Sequence, residues 1–214
     1  MFPSPRSGCR TVTLVTAPRV EPVSVDAVKL FARIDGNAED ALLSSLIGTA
    51  RRAAENYTRR AFITQTWRLT QDGFDEADGF EHVGVMLAPN PALIGGDIQL
   101  PREPIKSVES IKTYDSSNVE STVDAGTYRL DAASGRILLN DGVAWPSNLR
   151  ADGAVHIEFK AGYGDAADDV PAEIRQAILM HVGAMYENRM CADLPAGAMA
   201  LLDPFRTLEA YGAW

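Results

Sequence analysis

The sequence predicts an α+β fold: a small α-helical bundle formed by the N- and C-terminal segments, with an antiparallel β-rich insertion between them. Three observations carry this. Helical patterning runs through 24–58 and again through 171–189, and residues 65–164 between them read as strands and turns. Neither terminal segment can bury its apolar stripe on its own sequence neighbours, so the two are expected to pack on each other. The expected organisation is a helical core and tail made of 1–64 and 165–214, carrying an insertion at 65–164.

The first helix opens at Ser24, a favourable N-cap, with Asp26 placed to meet the positive end of the helix dipole. Val25, Val28, Phe31 and Ile34 recur at three-residue steps, and Asp35-Gly36-Asn37 supplies turn chemistry that stops the helix. The second helix is longer. Leu42, Leu46, Ala50, Ala53, Ala54 and Tyr57 are assigned to its apolar face. Glu39 and Asp40 stand at its start and Arg51, Arg52, Arg59 and Arg60 towards its end, matching the dipole at both ends. Those four arginines read either as a solvated helix end or as a subunit interface.

From Ala61 the period changes to two, with Ile63, Gln65, Trp67 and Leu69 on one side and Thr64, Thr66, Arg68 and Thr70 on the other. Further strands are expected at 97–100, 105–114, 119–123, 128–130, 136–139 and 154–159. Turn residues mark the connections, Asp115-Ser116-Ser117-Asn118 and Ser134-Gly135 among them. Such short links leave no room for crossover helices, so pairing is expected to be antiparallel. The stretch 72–96, with five acidic residues before Val83, reads as a long mobile loop. Asp168-Asp169-Val170-Pro171 announces the third helix, whose face is Ile174, Ile178, His181, Val182, Met185 and Tyr186. Leu194-Pro195-Ala196-Gly197 breaks it from a short helix at 198–202. Beyond that comes a tail with Phe205, Leu208, Tyr211 and Trp214, which either folds back on its own core or orders on a partner.

A chain of 214 residues with 46% hydrophobic and 23% charged residues has the composition of a globular protein with a real core. No apolar run approaches the roughly 18 residues of a membrane-spanning helix, and Met1 to Arg10 has no signal-peptide pattern. Cys9 and Cys191 are too few for a disulfide framework, so a reducing cytoplasm is the expected compartment. The net charge of −9 is uneven. Residues 1–64 hold nine basic and six acidic side chains, 65–164 eight and fifteen, and 165–214 three and eight. A nucleic-acid groove would need a basic stripe, and the pattern is the opposite. An acidic surface serves solubility or lets DNA slide past without sticking.

Catalytic chemistry is thin. His82, His156 and His181 are scattered over loop, strand and helix, with no His-x-x-x-His or Cys-x-x-Cys spacing for zinc. Gly-x-Ser-x-Gly, phosphate-loop and dinucleotide fingerprints are missing from the sequence. Asp165, Asp168 and Asp169 lack the alternation of a calcium loop and are read as helix capping. Gly162-Tyr163-Gly164 reads as the turn leaving the last strand. No catalytic residue, metal site or cofactor is expected.

Several stretches, taken in order, resemble the head-tail connector (adaptor) family of tailed phages and gene transfer agents. They are Leu14-Val15-Thr16-Ala17-Pro18, Glu21-Pro22-Val23-Ser24, Asp40-Ala41-Leu42-Leu43 through Ala50-Arg51-Arg52, and Tyr57-Thr58-Arg59-Arg60-Ala61-Phe62-Ile63-Thr64-Gln65-Thr66-Trp67. The likeness resumes at Leu100-Pro101-Arg102-Glu103-Pro104-Ile105, Ala161-Gly162-Tyr163-Gly164, and Val170-Pro171-Ala172-Glu173-Ile174 through Tyr186-Glu187-Asn188-Arg189. It departs in 1–12 and 72–96. The resemblance implies a structural protein of the particle neck, assembled in the host cytoplasm. It would form a homo-oligomeric ring of about twelve copies under the portal and join it to a downstream neck or tail protein such as a stopper, with DNA passing through the channel. It also implies that the C-terminal word at Leu201-Leu202-Asp203-Pro204-Phe205-Arg206 engages the portal, which makes Pro204, Phe205, Arg206, Leu208, Tyr211 and Trp214 the candidate partner-binding residues. Arg51, Arg52, Arg59 and Arg60 are the candidate subunit interface. The rival classes are another neck component, such as a stopper or tail-associated binding protein, and a small hydrolase, for which no convergent acid, base or nucleophile is visible.

Overall fold

The computed structural model describes residues 10–74, 97–188 and 193–207. His82, most of the 72–96 loop, and Leu208, Tyr211 and Trp214 lie outside the described residues. The described chain contains strands β1 (Arg10–Thr16), β2 (Gln65–Gln71), β3 (Ile98–Gln99), β4 (Ile105–Tyr114), β5 (Glu120–Thr122), β6 (Tyr128–Asp131), β7 (Arg136–Leu139) and β8 (Val155–Ala161). Its helices are α1 (Val25–Ala32), α2 (Asp40–Thr58), α3 (Ala172–Glu187) and α4 (Ala196–Leu202). Two compact units result: a strand unit drawn from residues up to 16 and from 66–160, and a helical unit drawn from 17–65 and 161–208.

In the strand unit, a five-stranded sheet runs β1-β2-β8-β4-β5 and a three-stranded sheet runs β3-β7-β6. The pairs β1/β2, β4/β5, β3/β7 and β6/β7 are antiparallel. Strands β2 and β8 alternate strictly between buried and half-buried positions. Trp67, Leu69, Ile157 and Phe159 therefore face the core while Arg68 and Glu158 meet across the other face at 2.6 Å. The expected turns are present. Asp115 Oδ1 accepts from the N–H groups of Ser117 and Val119, closing the β4–β5 hairpin with Asn118 in the left-handed region. Gly135 takes φ 65° between β6 and β7. Strand β1 departs from expectation, since the pattern assigns residues 10–16 to the helical segment and they join the sheet instead. Its Thr-Val-Thr-Leu-Val-Thr run is β-prone, and it pairs with β2 from Arg10↔Gln71 to Thr16↔Thr66 with a bulge at Val15.

In the helical unit Ser24 caps α1 as expected, its Oγ accepting from the Ala27 N–H at 3.1 Å. Arg33 closes the helix in the left-handed region, and the Ile34 N–H reaches the Lys29 carbonyl at 3.0 Å. Helix α3 buries Ile174, Ala177, Ile178, His181, Val182 and Met185, close to the predicted face. On α2 the face differs from expectation: Leu43, Ile47, Ala50, Ala54 and Thr58 are buried, whereas Leu42 is 44% exposed. Apolar neighbours come in pairs here, Leu42-Leu43 and Leu46-Ile47, so two phases fit the period and packing selects one. One core joins Val28, Leu43, Ile47, Ala54, Phe62, Ile174, Ile178, Val182, Ala198 and Leu202, so the two terminal helical segments do cover each other. Each large aliphatic side chain buried there contributes about 1.5–3 kcal/mol.

Residues 62–64 and 162–164 approach closely. The Tyr163 N–H donates to the Phe62 carbonyl at 2.9 Å and the Thr64 N–H to the Gly164 carbonyl at 2.8 Å. Gly162 makes this possible, with φ 139° and no room for a side chain: a Cβ would lie 2.6 Å from the Ile63 carbonyl carbon. Gly162→Ala should therefore cost about 2 kcal/mol or more, since it adds backbone strain to a clash with atoms that cannot rotate away. Urea denaturation of the purified variant reads this, and an unchanged midpoint would contradict it.

Candidate functional site

The C-terminal end of α2 is where the candidate residues gather. A helix ends with carbonyls that lack intrahelical partners. Arg59 stops α2 in the left-handed conformation at φ 60°, and the Thr58 carbonyl accepts from the Thr207 N–H at 3.0 Å. The segment after α4 is strapped down at further points. The Tyr57 hydroxyl donates to Asp203 Oδ1 at 2.6 Å, and Arg60 Nε donates to the Phe205 carbonyl at 2.6 Å. The Arg206 guanidinium lies 4.9 Å from the Tyr57 ring centroid, and Phe205 packs half-buried against the core. The Asp203 hydrogen bond raises the Tyr57 hydroxyl above its usual pKa. Of the two readings of the tail, folding back on its own core describes residues 203–207. Pro204 and Arg206 remain exposed.

The four arginines do not form one patch. Arg51 is only 6% exposed, its Nε donating to Glu21 Oε2 and its Nη1 to Glu55 Oε2, both at 2.7 Å. Glu55, itself 4% exposed, also accepts from the Phe62 N–H at 3.0 Å and from Gln65 Nε2 at 2.6 Å through its other oxygen. Arg51 is thus a core ion-pair residue, which corrects its expected place on a surface. Sequence pattern missed this because arginine and glutamate four apart look like a solvated helix pair. Arg60 serves the strap, Arg59 caps the helix half-exposed, and Arg52 alone points out, with no partner among the described residues. Burial pushes the Glu55 carboxyl above its ordinary value, against the pull of the Arg51 charge and the Phe62 and Gln65 donors.

The histidines stand apart. His181 is fully buried on α3. His156, on β8, lies 4.9 Å from the Tyr114 ring, its pKa lowered by burial and by Arg68 and Arg150. Among the described residues no three His, Cys, Asp or Glu side chains converge as metal ligands, and no helix is long and apolar enough to cross a membrane. Asp168 pairs with Arg175 at 2.6 Å, and Asp169 Oδ2 accepts from the Ala166 N–H at 2.9 Å.

Removing one member of a buried ion pair leaves the other charge uncompensated. Glu55→Ala should lower stability by about 3 kcal/mol in chemical denaturation, more than truncating an exposed charge would. Because folding raises the Glu55 pKa, the folded state binds this proton more tightly than the unfolded chain. The group's contribution to stability should therefore fall as pH rises from the ordinary carboxylate value through the raised one. Comparing wild type with Glu55→Gln across that window checks the sign, and a difference that grows in favour of wild type with rising pH would refute it.

No curated protein sequence matches the chain. Solved structures do. A chain from the neck of an empty gene transfer agent (GTA) particle, computed with C6 symmetry, is 27% identical with a TM-score of 0.73, covering 95% of this chain and 98% of that one. A chain from the virion of a native GTA particle is 26% identical with a TM-score of 0.69, covering 94% and 98%. One from the neck of a native GTA particle, computed with C12 symmetry, is 27% identical with a TM-score of 0.67, covering 95% and 98%. Residues 22–132, from before α1 through β6, match the family model of phage gp6-like head-tail connector proteins. With more than half of its length matched, this chain belongs to the phage gp6-like head-tail connector family.

Proposed function

We propose that the chain is the adaptor subunit of a particle neck. Copies of it form a ring under the portal and join the portal to the next neck or tail protein, while DNA passes through the centre. The observation that carries this is the end-to-end likeness to a neck chain, 95% of this chain against 98% of that one, on top of the family match. Symmetry of C6 and C12 in the similar necks supports a rotationally repeated assembly with a heterologous contact. A stopper or tail-associated protein of the same neck is the alternative. In this structural role the helical unit, 17–65 and 161–208, holds the ring, and no catalytic group is required.

The strap at 203–207 refines the portal-binding assignment. Phe205 and the backbone up to Thr207 are held on α2, so their part is to fix the end of the described chain on that helix. Leu208, Tyr211 and Trp214 then supply the apolar anchors for the portal, and Pro204 and Arg206, both exposed, are free to join the contact. Two truncations separate holding from binding. Ending the chain after Thr207 should leave the melting temperature nearly unchanged and abolish pull-down by the portal. Ending it after Asp203 should also lower the melting temperature, because the Phe205 packing and two backbone contacts go with it. Portal binding that survives the shorter deletion would remove the tail from the interface.

DNA should interact weakly with this surface. Residues 65–164 carry eight basic against fifteen acidic side chains. Among the described ones, Arg68, Lys112 and Lys160 are already paired with Glu158, Glu120 and Glu109. Fluorescence anisotropy should find sequence-blind binding that vanishes with modest salt. Sub-micromolar affinity at physiological salt would overturn passive passage.

A further inference from the structure

Helix α1 is short, and its packing side is taken by Val28, which is fully buried. Two residues on, Leu30 is 84% exposed, a large apolar side chain left in water. Lys29, next to it, donates to Asn37 Oδ1 at 2.7 Å and pairs with Asp40 Oδ1 at 2.5 Å. These contacts tie Lys29 of α1 to the loop before α2 and to its first residue, and in that first turn Leu42 is 44% exposed. From Leu42 an exposed stripe follows at helical spacing through Ser45 and Thr49 to Arg52, with no acidic residue on it. Arg52 has no partner among the described residues. The start of α3 has the opposite character: Asp165 and Glu173 are exposed and unpaired among the described residues, and Asp168 is exposed beside them.

Exposed apolar groups framed by an unpaired charge mark interaction sites, and a surface of complementary charge elsewhere on the same molecule suits a heterologous contact that repeats. We propose that Leu30, Leu42 and the Arg52 stripe form one half of a contact between neighbouring copies of this chain. The other half is the acidic start of α3, Asp165 and Glu173, on the next copy. The proposal rests on the ring reading above and replaces the four-arginine interface with Arg52 alone.

The test uses the full-length chain mixed with its portal ring and counted by negative-stain electron microscopy, with the melting temperature of each variant measured alongside. Leu30→Asp and Arg52→Glu should each reduce ring-bearing particles at least about tenfold, as loss of an interface anchor does, without lowering the melting temperature. Adding Asp165→Arg and Glu173→Arg to Arg52→Glu should restore the rings. Arg52→Glu, a change at an exposed helix position, carries the test independently of any stability change at Leu30. Wild-type numbers of rings from Leu30→Asp and Arg52→Glu would overturn this surface and leave the connector reading standing. An Arg52→Glu defect that the added arginines fail to rescue would overturn the pairing with α3. If wild type itself forms no ring on the portal, the connector reading falls and this inference with it.

Discussion

An ionised carboxylate taken out of water must be met by donors on every side, and Glu55 is where the helical unit meets that constraint. Its two oxygens collect a guanidinium from one turn earlier on α2, a backbone N–H from Phe62 and a side-chain amide from Gln65. The chain leaving α2 is thereby fixed against the helix it has just left. The placement of 62–64 against 162–164, and of Phe62 in the core, both depend on it. Arg51 extends the arrangement to Glu21, so the segment before α1 is tied to the same point. Packing of aliphatic residues supplies the larger share of the free energy, while the ion pair joins the segment before α1, helix α2 and the chain that leaves it through one set of hydrogen bonds.

The same end of α2 solves a second problem. Helix termini expose carbonyls, and here the chain's own C-terminal segment provides the donors. Thr207 reaches Thr58, Arg60 reaches the Phe205 carbonyl, and Tyr57 reaches Asp203. A strap built from several weak bonds around one half-buried aromatic holds residues 203–207 on α2 without a large core of its own.

Across the strand unit, charge is handled locally. On the outward face of the five-stranded sheet, Arg68 meets Glu158, Lys160 meets Glu109, and Lys112 meets Glu120. Exposed pairs of this kind add little stability, but they leave few cations uncommitted. These pairs leave no run of free cations among the residues they join that could form a basic stripe for a polyanion.

Much of the architecture was legible in the sequence because it rests on local chemistry. Ser24 caps α1, Asp115 builds its hairpin, and the period of two from Ile63 to Leu69 places Trp67 and Leu69 inward. These outcomes depend on neighbours a few residues away. Strand β1 was missed because an edge strand at the end of a chain shows its purpose only beside its partner, β2. The phase of α2 was misread because Leu42-Leu43 and Leu46-Ile47 satisfy two faces equally, and only the surface of α3 chooses. Arg51 and Arg60 looked like surface charges, and each found a partner far along the chain, Glu21 and the Phe205 carbonyl. The sequence by itself determined the order and kind of the elements after β1, through propensity, capping and period. The tertiary structure alone decided which face of a helix is inside and which charge is buried, because both depend on groups distant in sequence that meet only when the chain is folded.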